Sequence, residues 1–403
     1  MISATTSARS HETSTMFNPS RLVLARHRRE LTATALAQAA DLSPRMISLY
    51  ENGHSVPTDE NVQALADTLR FPVTFFHRED PPELTVEQTS FRALSKTPAK
   101  RRDAARSSGQ LAIMLDDWIT GQFGLPHANL PSLTVFSRLA PDVERDTSST
   151  NHIQVETPEI AAEVIRAGWG MGNSPIPNLL HLLEAQGVRV FSLADNCREV
   201  DAFSFWHGRT PFIVLNTTKS GERGRFDAAH ELGHLVLHHE DRAPQGPQAE
   251  QEADRFAAAF LMPRASVLAQ VPHMAPIDLV LEAKERWRVA AMALTHRLHE
   301  IGLSSDWHYR QLCVELSKRG YRSAEPGGIA RESSQVLNKV FTALRAEGSR
   351  PATIARDMDI TVADLNNLVF GLVMSAHEGG RAASAPLRPK LALVRPERGF
   401  GKR

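Results

Sequence analysis

RFDAAHELGHLVLHH, residues 225–239, is the stretch on which the reading of this chain turns. His230 and His234 are four residues apart, which on a helix puts one imidazole above the other and lets both reach a single metal ion. Glu231 sits beside that pair. Its carboxylate can take a proton from an attacking water and hand it to a leaving amine, the work of a general base in a zinc hydrolase. An HExxH string arises by chance in roughly 4% of chains of this length and composition, so the surrounding sequence must carry part of the argument.

A catalytic zinc needs a third protein ligand. After an excursion that contains Pro244, Gly246 and Pro247, the segment Glu250-Gln251-Glu252-Ala253-Asp254 begins a second helix that ends near Pro263. Glu250 and Asp254 share one face of it. That spacing suits a ligand plus an acceptor that holds a ligand histidine in its tautomer, while Glu252 projects elsewhere. Glu240 is a rival, because it falls where the pattern HExxHxxGxxH has its last histidine, but Leu237 replaces the glycine that turns the chain there. His238 extends the stripe of His230 and His234. It lies about 12 Å from His230 along a straight helix, too far for one ion to take all three.

Upstream of the motif, VRVFSL, VDAFSFWH and TPFIVLN read as three strands, the last two joined by a glycine-containing turn. Helices with one small antiparallel sheet make this part α+β. Here the chain resembles the ImmA/IrrE family of metallopeptidases, through WHGRTPFIVLN, RGRFDAAHELGHLVLHH and EQEADRFAAAFLMP. The resemblance implies a zincin-like fold with one Zn²⁺ per chain on His230, His234 and Glu250. It makes Glu231 the general base, puts Asp254 behind a ligand, and sets PFIVLN as the sheet edge beside the cleft. Family members cleave helix-turn-helix repressors, so the implied activity is that of a zinc metalloendopeptidase acting on a regulatory protein. His207, Arg223, Arg225 and Tyr309 are candidate oxyanion stabilisers, each with a structural role as its alternative.

The amino-terminal segment is a compact run of short helices. Thr32 caps one, Ala37 is small enough for close packing, Asp41-Leu42 turns the chain, Ser43 caps the next helix, and Gly53 ends it. Leu36, Leu42, Ile47, Leu65 and Leu69 supply a core. LTATALAQAADLSPRMISLYENGHSVPT resembles the Cro/CI-type (XRE) helix-turn-helix domains. That resemblance puts Pro44, Arg45, Ser48 and Leu49 on the face that enters the major groove, with Ser43 and Asn52 at the ends of the same helix as further DNA-contacting candidates. It also pairs Arg26 with Glu51. Arg45 is the foremost base reader. Ala33 stands where a phosphate-binding Gln opens the second helix in the family, and the only basic cluster is Arg26, Arg28 and Arg29. One such unit reads four or five base pairs, which implies a homodimer on double-stranded operator DNA.

The expected organisation is therefore multidomain. A disordered tip covers 1–16, with Met16 a possible start. An all-α helix-turn-helix domain covers 17–77. A linker covers 78–107, with a short docked strand around Ser90 to Arg92. The zinc-peptidase domain covers 108–270, its core 150–265. An α-helical region covers 271–376, and a disordered basic tail covers 377–403. Within the helical region RPATIARDMDITVADLNNLVFGL repeats the helix-turn-helix rhythm, but its would-be reading face carries Asp364 and Asn366 and no cation, which favours packing over DNA contact. No run reaches the roughly 18 apolar residues of a membrane helix and no signal-peptide core is present, so the expectation is a cytoplasmic protein with no membrane partner. The two cysteines, Cys197 and Cys313, lie outside any CxxC and form no zinc site. With 46 Lys+Arg against 46 Asp+Glu in 403 residues, any attraction to DNA must be local.

Two functions fit. One is a DNA-binding regulator whose peptidase domain cuts itself or a partner regulator; the other is a transcription factor or antitoxin that uses the peptidase fold as a non-proteolytic sensor or partner-binding module.

Overall fold

A computed structural model describes residues 16–85, 98–130, 150–193, 200–238, 246–322 and 325–373. Residues 1–15, the strand around Ser90 to Arg92, Glu240 and the basic tail lie outside them. In chain order the helices are α1 (Pro19–Arg28), α2 (Ala33–Ala39), α3 (Pro44–Glu51) and α4 (Asp59–Leu69), a 3-10 turn (Val73–His77), then α5 (Ala99–Thr120), α6 (Thr150–Gly168) and α7 (Leu179–Ala185). Strands β1 (Arg189–Ser192), β2 (Ala202–His207) and β3 (Thr210–Leu215) follow. After them come α8 (Gly221–Leu237), α9 (Pro247–Leu261), α10 (Arg264–Gln270), α11 (Ile277–Trp287), α12 (Ala291–Glu300), α13 (Asp306–Lys318), α14 (Gln335–Ala346), α15 (Pro351–Asp357) and α16 (Val362–Val369).

The chain divides into two compact units. One holds the residues up to Glu83 together with Ala99–Leu115 and Ser349–Leu365; the other is built on Asp116–Gly348 with Leu84–Pro98 and the residues from Asn366 on.

In the first unit α1 to α4 each start on a side-chain cap. Asn18 accepts from Ser20 and Arg21, Thr32 from Ala35, Ser43 from Met46 and Thr58 from Asn61, all through backbone N–H groups that the helix leaves unpaired. Asp41 turns the chain at φ 54°, and Gly53 ends α3 at φ 68°, a left-handed conformation that glycine adopts without strain. Leu36, Ala37, Ile47, Leu65 and Leu69 are fully buried, whereas Leu42 is half-buried. Arg26 grips Glu51 with two bonds, Nε–Oε1 at 2.5 Å and Nη2–Oε2 at 3.0 Å, and so ties α1 to α3.

The stretch 99–107, which composition assigned to a linker, is instead the first half of α5. Its small residues Ala104, Ala105, Ser107 and Ser108 are buried, which lets the helix approach closely. Ser108 Oγ accepts from Arg28 Nη1 at 2.9 Å. The helix-turn-helix-like repeat also packs into this unit. Asp364, 1% exposed, accepts from Arg28 Nε at 3.2 Å and from Arg29 Nη1 and Nη2 at 2.7 and 2.8 Å. Asp359 accepts from Thr74 Oγ1 at 2.5 Å and from Arg78. Asp364 thus serves packing.

In the second unit the three strands are ordered β1-β3-β2. β2 and β3 form the expected hairpin over Gly208, which sits at φ 57°. β1 pairs parallel with β3, so the sheet is mixed where an antiparallel one was expected. The reason is the strand order: β3, the second strand of the hairpin, lies between β1 and β2. The strand TPFIVL expected at the sheet edge is consequently the centre, and β1 and β2 are the edges among the described residues. Phe203, Phe205, Phe212 and Phe191 stack across the sheet, with centroid separations of 5.9, 4.9 and 6.2 Å in that order. The alternate residues Ser204 and Trp206 reach α8, bonding to Glu231 and to the Leu235 carbonyl.

Removing the Asp364 carboxylate takes an anionic partner from the buried Arg28, and breaking such a pair costs about 3–5 kcal/mol. Asp364→Ala is therefore expected to speed amide hydrogen exchange across α1 and α4 in the full chain. Burial alone would raise the Asp364 carboxyl, and Arg29 and Arg28 hold it below its ordinary value instead. Its stabilisation is thus present above the ordinary aspartate range and lost as pH falls below it, so wild type and Asp364→Ala should converge in acid. Equal exchange at neutral pH would contradict this.

Candidate metal centre and DNA-reading helix

α8 starts on Ser220, whose side chain accepts from Arg223 N–H, and runs over β2 and β3. α9 starts after Gly246 and packs against α8 and α6. The contact between α8 and α9 is tight at Gly233, the second variable residue of the HExxH string. A Cβ there would lie 3.1 Å from Phe256 Cδ1, 3.2 Å from Ala253 Cα and 3.3 Å from its carbonyl. Only a residue without a side chain lets the two helices approach this far without displacement.

That approach brings the histidines of α8 against the acidic first turns of α9. Nε2 of His230 and Nε2 of His234 face each other at 3.1 Å. Glu250 lies over both, with Oε2 3.4 Å from His230 Nε2 and Oε1 3.5 Å from His234 Nε2. One ligand atom from each of these residues lies within 4.8 Å of the others. Glu250 Oε1 is buried and has no hydrogen-bond partner. Asp254, exposed on the same face of α9, accepts from His230 Nδ1 at 2.8 Å.

The electrostatics of the cluster favour positive charge. Burial works against a charged His230, but hydrogen bonds to Asp254 and Glu250 outweigh it and push this histidine up to about 10. Burial likewise works to raise Glu250, and the two histidines facing it, His230 and His234, pull it down to about 2.

Glu231 is 2% exposed. Its Oε2 accepts from Ser204 Oγ at 2.7 Å, a partner on β2 that no local pattern in the sequence announces. Two residues that the sequence reading set aside as ligands also make contacts here. His238 turns back on the cluster, its Nδ1 2.8 Å from His234 Nδ1, and Glu252, expected to project elsewhere, receives His238 Nε2 at 3.2 Å. The stripe at i, i+4, i+8 was the available signal, and what it could not give was the depth at which α9 meets α8. Burial, with His234 next to it, holds His238 down to about 4.

Of the candidate oxyanion stabilisers, Arg225 is buried against Glu332 and the Ile176 carbonyl, and Tyr309 stacks on His299 at 4.6 Å. Arg223 is exposed and bonds Asp201 and Asp227, each at 2.9 Å. His207 is half-buried at the end of β2.

On α3, Ser43, Pro44, Arg45, Ser48 and Asn52 are exposed, and Leu49 is half-buried. Arg45 has neither a hydrogen bond nor an ion pair among the described residues. Ser43 Oγ is occupied by the Met46 N–H at 3.2 Å, and Asn52 Nδ2 donates to the Ser48 carbonyl at 2.7 Å, closing the helix end. The basic cluster Arg26, Arg28 and Arg29 is consumed internally by Glu51 and Asp364.

A capped three-helix reading unit and a paired-helix HExxH centre together define a DNA-binding regulator that carries a metallopeptidase-type domain. Residues 24–76 match the family model described as helix-turn-helix, and residues 183–299 match that of the IrrE N-terminal-like domain, Peptidase M78. The chain is thus a fusion of an XRE-type helix-turn-helix domain with an IrrE-like domain. No curated protein matches it. Among the described residues no helix is long and apolar enough to cross a membrane.

A histidine raised above its unfolded value adds stability that is complete below about 6.5 and fades as pH rises through the folded value. Chelator-treated protein should therefore keep His230 protonated to about pH 10 and lose stability between these limits. Histidine NMR on wild type and Asp254→Asn checks this, and a His230 that titrates near 6.5 in both would refute it.

Proposed function

We propose that this protein is a cytoplasmic, operator-binding regulator whose IrrE-like domain is a zinc endopeptidase that hydrolyses a peptide bond in itself or in a partner regulatory protein. The observation that carries this reading is the His230, His234 and Glu250 cluster with Asp254 behind it. Two imidazole nitrogens and a carboxylate oxygen are the donor set of a catalytic zinc, which leaves a fourth position open. The two Nε2 atoms are 3.1 Å apart and each faces a different oxygen of Glu250, at 3.4 and 3.5 Å, and one ligand atom from each residue lies within 4.8 Å of the others, close enough for the three side chains to share one ion. The unpartnered Glu250 Oε1 is accounted for by the same ion.

In this reading His230 and His234 hold zinc through Nε2 and Glu250 through its carboxylate. The bound ion supplies Lewis acidity, polarising a scissile carbonyl and activating water for attack. Glu231 takes the proton of the attacking water and delivers it to the amide nitrogen as the C–N bond breaks. Ser204 orients that carboxylate through its bond to Oε2. Asp254 fixes the proton of His230 on Nδ1, which keeps the Nε2 lone pair for the metal.

DNA recognition rests on α3. Arg45, the unengaged cation, reads a base edge, with Pro44, Ser48 and Leu49 around it, Ser43 and Asn52 at the helix ends, and a second copy of the chain on the other half-site.

Incubating the full chain with zinc and following fragments by mass spectrometry tests the enzyme. A specific cut is expected in wild type and not in Glu231→Gln, which loses at least about 100-fold in rate while keeping zinc near one per chain. His234→Ala and Glu250→Ala should lose the metal. Zinc without any cut, alone or with candidate regulators, would favour the sensor reading. On an operator selected from random duplexes, Arg45→Ala should weaken binding by about 5- to 150-fold, the equivalent of 1–3 kcal/mol; an unchanged affinity would remove Arg45 from the reading face.

A further inference from the structure

We propose that His238 and Glu252 are positioning residues of the metal centre, a two-residue relay that sets the tautomer and ring plane of His234 as Asp254 does for His230. This rests on the zinc reading above.

The argument is one of proton accounting. Each neutral imidazole has one N–H and one lone pair. His234 turns Nε2 towards His230 Nε2 and Glu250, and Nδ1 towards His238 Nδ1 at 2.8 Å, so a single proton lies between those two Nδ1 atoms. If His234 donates, its Nε2 keeps a lone pair for the metal. His238 Nδ1 then accepts, its own proton lies on Nε2, and that N–H points at Glu252 Oε2, 3.2 Å away. Gln248 Nε2 donates to the other oxygen of Glu252 at 3.1 Å and anchors the end of the chain. Every atom has one role.

The reverse assignment fails at both ends. A proton donated by His238 puts the His234 proton on Nε2, aimed into the metal site, and sets the lone pair of His238 Nε2 against a carboxylate oxygen. The geometry therefore selects the relay in which His234 is a ligand.

The two histidines are supported unequally. His230 bonds a carboxylate directly, on an exposed side chain, whereas His234 reaches its carboxylate through a half-buried neutral ring. The i+4 spacing of His238 after His234 makes the relay possible, and the close contact of α9 with α8 brings Glu252 into range.

The test is zinc affinity of the full chain by chelator competition, with the visible spectrum of the cobalt-substituted protein as a second readout. His238→Ala should bind zinc about 10- to 100-fold more weakly and shift the cobalt bands. His238→Asn, whose Oδ1 stands where Nδ1 was and can accept from His234, should recover most of that loss, which a merely structural role would not require. Combining Glu252→Ala with His238→Ala should cost little more than His238→Ala alone, because both act through one path. Wild-type affinity and an unchanged spectrum in His238→Ala, or losses that simply add, would overturn the relay and leave the zinc site standing. A wild-type chain that takes up no zinc would overturn both.

Discussion

The close approach of α8 and α9 at Gly233 is the constraint on which the metal centre depends. α8 alone offers a stripe of histidines, and α9 alone offers three acidic residues within its first two turns. Neither set is a site. They become one because Gly233 presents no side chain to Ala253 and Phe256, and Ala253 lies between Glu252 and Asp254. Two hydrogen bonds then cross the same contact, from His230 to Asp254 and from His238 to Glu252, and Glu250 lies 3.4 Å from His230 and 3.5 Å from His234. β2 completes the arrangement from the other side of α8, with Ser204 on Glu231.

The other unit is governed by charge rather than by close packing. Arg26, Arg28 and Arg29 are committed to Glu51 and Asp364, so they hold the fold and are not offered to phosphate. With no net charge over the chain, any attraction to DNA must be local.

What was legible in the sequence was local. Caps at Thr32 and Ser43, the glycine that ends α3, and the i, i+4 pairs His230/His234 and Glu250/Asp254 are all set by residues within a few positions of one another. The Arg26–Glu51 pair came from family resemblance and not from periodicity, which has no means of joining residues on different helices. What was not legible depended on tertiary placement. Nothing near TPFIVL tells whether β1 inserts beside it, so its central place and the mixed sheet were missed. The charged, small-residue stretch 99–107 has linker composition, yet it buries Ala104, Ala105 and Ser107 as a helix once a neighbour is available. Glu252 was set aside because it faces away from Glu250 on its own helix; it meets His238 because the helices are close enough for a second row to touch. Asp364 was read as favouring packing over DNA contact, but its partners Arg28 and Arg29 lie far away in sequence and had no local signal.

The account holds that one ion is bound by residues from both helices. X-ray absorption at the zinc edge of the loaded full chain measures this directly. Two imidazole nitrogens and light oxygen scatterers at about 2.0–2.1 Å, in a four-coordinate shell that loses an oxygen in Glu250→Ala, are the expected result. A six-coordinate oxygen shell without imidazole scattering, or a spectrum unchanged by Glu250→Ala, would contradict it.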